Sequence, residues 1–238
     1  MADYLRGIGE SIHPRPRALL VVSAHWETPK PTLNDASHPP LLFDYYGFPE
    51  HTYRLTYPVS GAPDVADRAA TLLADAGLES ARDSARGLDH GVFVPFKLIY
   101  PRADIPIVQL SLLQNLDPAA HLAVGRALAP LRGEGVLIVG SGMSYHNLRA
   151  FMVDDDRAGD AAERFDRWLD EAVTCPDLAE RERQLLNWKR APAARLCHPR
   201  EEHLIPLMVA AGAAGTDRGR RTYNQKVLGK AISGFQFG

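Results

Sequence analysis

The sequence has only two cysteines, Cys175 and Cys197, and neither belongs to a C-x-x-C pair. That excludes a disulfide framework and a paired-thiol redox or zinc motif. Nowhere does the chain approach the run of about 20 apolar residues that a membrane-spanning helix needs. Its opening stretch, MADYLRGIGESIHPRPRA, has no apolar core and does not read as a secretory signal. Charge of one sign is also missing. A formal net charge of -2 gives no electrostatic reason to bind nucleic acid or an anionic membrane. The compact signatures H-E-x-x-H, G-x-S-x-G, G-x-G-x-x-G and Walker A are absent as well. The expectation from these absences is a cytoplasmic protein whose partner is a small molecule.

What is present reads as a globular enzyme-sized chain. At 238 residues, 45% hydrophobic and 24% charged, it has enough material for one large core. Three apolar runs, ALLVVSA (18–24), IPIVQLSLL (105–113) and GVLIVGSG (135–142), read as strands covered on both faces. Helices are expected over 2–12, 63–77, 118–132, 157–172, 176–190 and 201–215, and the final AISGFQFG as an edge strand. Residues 87–101 carry a mixed signal, a turn followed by a short helix or strand. Apolar strands alternating with helices predict an α/β fold: a single domain over 1–238 with a mostly parallel or mixed central sheet flanked by helices. Residues 34–64 form a long aromatic loop rich in proline and glycine, of a length that usually carries function.

Four of the nine histidines fall in one kind of place. His25 follows the first strand, His90 sits in the GLDHG turn, and His146 lies past the third strand in GSGMSYHNLR. His203 is expected in the first turn of the last helix. Ligands of open α/β sheets gather outside the carboxyl ends of the strands. A lone histidine is more often a structural one hydrogen-bonded to a carbonyl, but four in such positions point to a metal or acid–base site. His13, His38, His51 and His121 are expected on the surface or in loops. GSG at 140–142 reads as a glycine turn, and adjacent Cys197 and His198 as a weak nucleophile pair. The aromatic cluster of 43–57 is either an aromatic-substrate pocket or a packed loop.

VVSAHWE, LLFDYYGFPEHTYRLTYPVSGAP, GLDHGVFVPF, IPIVQLSL, GSGMSYHNLR and EEHLIPLMVAAGA, taken together, resemble the class III extradiol ring-cleavage dioxygenases. The branch is that of the DOPA 4,5-dioxygenases, related to the catalytic subunit of protocatechuate 4,5-dioxygenase. The resemblance implies that His25, in S-A-H-W, and His203, in E-H-L-x-P-L, are metal ligands. It implies that His146, in H-N-L-R, is the catalytic acid–base group and His90, in D-H-G, a second active-site histidine. Tyr45, Phe48 and Tyr145, beside these motifs, are expected to bind substrate. The implied cofactor is Fe2+, with Zn2+ able to take the same neutral-histidine ligands. The implied partners are a catecholic aromatic and O2, the product a muconate-semialdehyde type compound, and a homodimer is the assembly considered. The family pattern also opens with a strand and an H-G-G/S-x-P loop carrying a first ligand, and neither occurs in these residues. The third donor is then expected from a truncated segment or from His13, His38 or Glu27. Two other readings compete: a catalytically silent metal-binding or interaction protein on the same fold, as with the Memo-like proteins, and a zinc-dependent hydrolase.

Overall fold

The computed structural model describes residues 1–153 and 156–238. The strands are β1 (Ala18–Thr28), β2 (Thr32–Leu33), β3 (Ala81–Arg82), β4 (Ile107–Leu113), β5 (Val136–Ser141), β6 (Gly219–Val227) and β7 (Lys230–Phe237). The first five helices are α1 (Ala2–Ser11), α2 (Pro63–Asp75), α3 (His90–Ile99), α4 (Pro118–Leu128) and α5 (Pro130–Gly133). The remainder are α6 (Leu148–Phe151), α7 (Asp156–Thr174), α8 (Leu178–Leu186), α9 (Ala194–Cys197) and α10 (Ile205–Ala214). By its contacts the chain divides into two compact units.

The first unit comprises residues 1–115 and 127–141 and carries the central sheet, in the order β3-β2-β4-β1-β5. β1 runs parallel to both β4 and β5, whereas β2 meets β4 antiparallel, so the sheet is mixed. Leu19, Leu20, Val21 and Val22 are all 0% exposed, each contributing about 1.5–3 kcal/mol of apolar burial. Such a run tolerates no solvated face, which is why it lacks polar alternation. α3 packs on β1, and α1 packs on α3. The mixed signal of 87–101 resolves as that helix.

β1 does not stop at His25. Its pairing with β4 passes from Val22↔Leu110 to Glu27↔Leu112, so residues 23–26 stand against Ser111 alone. The strand resumes because Glu27 and Thr28 find partners again in Leu112 and Leu113. His25 therefore projects from a bulge inside the strand, a device that re-aims a side chain.

The second unit comprises residues 116–126 and 142–238. α7 is its long element, packed against α8, α9 and the β6–β7 hairpin. Gly125 and Gly212 let α4 and α10 touch backbone to backbone: a Cβ on Gly125 would stand 2.1 Å from the Val209 oxygen. AISGFQFG is half of an antiparallel hairpin with β6 and not an edge of the central sheet. The turn residues Leu228 (φ 47°) and Gly229 (φ 77°) both have positive φ, as a two-residue hairpin turn matched to strand twist requires. The expected 118–132 helix is interrupted, since Pro130 starts a new short helix and cannot donate to the old one. α10 begins at Ile205 with Pro206 in its first turn, leaving His203 in the turn before the helix.

Candidate functional site

In the first unit the β1 bulge and the start of α3 bring together two of the expected residues. The rings of His25 and His90 lie 4.0 Å apart, tilted by 44°. Asp44, from the aromatic loop, joins them. Its Oδ1 accepts from His90 Nδ1 at 2.7 Å and from the His90 backbone N–H at 3.0 Å. Its Oδ2 stands 4.0 Å from His25 Nδ1. Partial burial raises the Asp44 carboxyl, but the His90 hydrogen bonds outweigh it and hold the group down at about 2. An ionised carboxylate can only accept, so Nδ1 of His90 carries the proton and a neutral ring keeps its Nε2 lone pair. Gly91 is required here, because a Cβ would meet His25 Cδ2 and Ser23 Oγ, each at 2.8 Å.

Tyr45 stands edge-on to His90, ring centroids 5.6 Å apart at 87°. Its hydroxyl is engaged internally, donating to the Thr52 carbonyl at 2.6 Å, so it presents a ring rather than a donor. Phe48 is 60% exposed and meets Tyr45 edge to face at 5.4 Å. With Phe43, Tyr53 and Phe93 these rings form one cluster of edge-to-face and tilted contacts beside His90.

In the second unit the arrangement repeats with different elements. His146 and His203 stack at 3.4 Å, 19° between planes. His146 Nδ1 donates to Glu202 Oε1 at 3.0 Å, and Arg200 lies 3.7 Å from the other oxygen. Burial raises the Glu202 carboxyl, and the hydrogen bond from His146 with the nearby charges lowers it below the usual range. Gly142 of the GSG turn is what admits His203, since a Cβ there would sit 2.2 Å from the His203 carbonyl oxygen. Tyr145 is 1% exposed with its ring 5.8 Å from Phe151.

Each cluster offers two imidazoles and one carboxylate, with ligating atoms within 4.8 Å of one another. Imidazole nitrogens and carboxylate oxygens are donors that suit a divalent transition metal such as Fe(II) or Zn(II). Neither group includes His13, His38 or Glu27. His121 is not a surface residue: it is 1% exposed on α4, its Nδ1 bonded 2.7 Å from the Asp117 carbonyl. Cys197 is no nucleophile, as burial pushes its thiol up to about 12.

A family model described as the catalytic LigB subunit of aromatic ring-opening dioxygenase matches residues 2–236. The chain belongs to the LigB family. The LigB relatives include a dioxygenase, tasH, of Hapsidospora irregularis, 43% identical over 94% of this chain and 72% of that protein. A 4,5-DOPA dioxygenase extradiol of Beta vulgaris is 43% identical over 84% of this chain and 74% of its own length. Among solved structures, the uncharacterized protein JW3007 of Escherichia coli K12 superposes with a TM-score of 0.83 at 30% identity, covering 100% of this chain and 92% of that one. As a LigB member the protein is an enzyme, an extradiol aromatic ring-opening dioxygenase. Asp44 and Glu202 were not singled out in the sequence. Both lie inside the motifs that carry the resemblance, and Glu202 directly precedes His203, but acidic residues in loops usually face water.

Proposed function

We propose that His25 and His203 are metal ligands, that His90 and His146 move protons, and that the substrate is a catechol opened with O2 to a muconate-semialdehyde type product. Fe(II) is the proposed metal, with Zn(II) a redox-silent competitor for the same nitrogen donors. One observation carries the division of roles: each cluster pairs a histidine whose Nδ1 is held by a carboxylate with a second histidine against its ring. A carboxylate on Nδ1 fixes the tautomer, aims Nε2 and offsets the charge of the ring when it takes a second proton, which suits a proton-transfer group.

The metal, when bound, supplies the electron-donating centre through which triplet O2 can react with a singlet catechol. His146 takes a catechol hydroxyl proton at Nε2 on binding and returns one during ring opening. Glu202 and Asp44 keep the Nδ1 protons of His146 and His90 in place as charge changes on the rings. Tyr45 and Phe48 present apolar ring surface for an aromatic substrate. The names of the relatives favour DOPA as the first catechol to try.

The test is oxygen uptake by protein reconstituted anaerobically with Fe(II), against DOPA, protocatechuate and simple catechols. Uptake with a yellow ring-opened product, lost in His146→Ala, supports the reading. Uptake that persists at the wild-type rate in His146→Ala removes that residue from the chemistry.

A further inference from the structure

We propose that Asp89 is a positioning residue that holds His25 and His90 in register with each other, acting through a buried hub made with Ser23, Gln109 and Arg86. This rests on the reading of His25 as a metal ligand and deepens it.

Asp89 stands at the N-cap of α3, where an aspartate ordinarily accepts the N–H groups of the first turn. It makes no such bond. The N–H of His90 goes to Asp44 instead. Asp89 is 0% exposed, and its carboxylate turns inward. Oδ1 accepts from Ser23 Oγ at 2.7 Å, while Oδ2 accepts from the Gln109 amide and from Arg86 at 3.4 Å. Gln109 replies by accepting from the Asp89 backbone N–H at 3.3 Å, which sets the orientation of its amide.

The hub reaches His25 twice. Ser23 Oγ, having donated to Asp89, accepts from His25 N–H at 3.2 Å. Arg86 donates to the His25 carbonyl at 3.1 Å, its guanidinium 4.8 Å over the Trp26 ring. So the bulge residue His25 is held at both backbone polar groups, and His90 follows Asp89 directly in the chain. A buried carboxylate is costly unless paired and hydrogen-bonded. A helix cap on the solvent side would have served α3 without that cost. What the inward carboxylate adds is a link from β4 and α3 to the two histidines.

The probe is Co(II), titrated anaerobically and followed by its visible absorption bands, with far-UV circular dichroism to report folding. Asp89→Asn is expected to fold, to bind Co(II) about 10- to 100-fold more weakly and to shift the bands. The reversed pair, Asp89→Asn with Gln109→Glu, puts an amide donor against a carboxylate across the same contact. It restores that contact but leaves Arg86 against the amide, so it is expected to recover part of the lost affinity and shift the bands back toward wild type, which a loss of packing would not allow. His25→Ala calibrates the ligand. If it leaves Co(II) binding unchanged, the ligand reading fails and this proposal with it. If His25→Ala abolishes binding while Asp89→Asn keeps wild-type affinity and bands, the hub alone is overturned. Should Asp89→Asn not fold, Ser23→Ala decides: weaker binding supports the hub and unchanged binding overturns it.

Discussion

Asp44 accepts from both the backbone and the ring of His90. One side chain thus serves as helix cap and tautomer lock. Asp44→Asn removes the obligatory acceptor, and its amide can turn a donor toward Nδ1. We expect kcat to fall about 10- to 100-fold, read by steady-state oxygen uptake. Removing His146 and removing His25 should separate cleanly in metal analysis. His146→Ala is expected to keep its metal and lose turnover, whereas His25→Ala loses the metal. Equal metal content in wild type and His25→Ala would sink the ligand assignment. A fourth residue, His198, gives a pH signature. Burial drives His198 from 6.5 down to about 4, with its Nε2 at 3.0 Å from the Ser144 carbonyl. As pH falls, the unfolded chain takes up this proton first. The stability is therefore full above 6.5 and is lost as pH falls toward about 4, by about 3 kcal/mol at most. Urea unfolding across that range should show the loss, and His198→Gln should flatten it.

At the scale of elements, the bulge in β1 and the glycine opening α3 act as a pair. Gly91→Ala would place a Cβ 2.8 Å from His25 Cδ2 and Ser23 Oγ. Overpacking of this kind costs about 1–3 kcal/mol, and it should weaken metal binding more than it lowers Tm, a difference that calorimetry beside metal titration would show. The strand itself was legible, because its apolar run has no other use than burial on both faces. The lapse in its pairing was not, since it depends on how residues 23–26 meet Ser111, far away in the chain. The histidines were legible by their neighbours in sequence. Their carboxylate partners were not, as Asp44 and His90 meet only after the long loop folds back on α3. His203 was placed inside a helix by its apolar spacing, but Pro206 sets the helix start at Ile205.

For the molecule as a whole, the alternation of buried runs and helices disclosed the α/β class and the mixed sheet. The C-terminal hairpin was half missed, because β6, GRRTYNQKV, is polar along most of its length and reads as loop. The expectation of one domain over 1–238 has a direct consequence for unfolding. Trp26, 5% exposed in the first unit, and Trp188, 0% exposed in the second, should report a single transition. Denaturation of variants that retain one tryptophan or the other would measure this, and two separated midpoints would refute it. Among the described residues no helix is long and apolar enough to cross a membrane.

Residues 24–26 take part in neither the β4 nor the β5 register of β1. At His25 side chains stand in for the missing rungs, Ser23 Oγ on its N–H and Arg86 on its carbonyl. The strand can therefore turn an imidazole out of the sheet and still regain its pairing at Glu27, so the site and the scaffold share one continuous stretch of backbone.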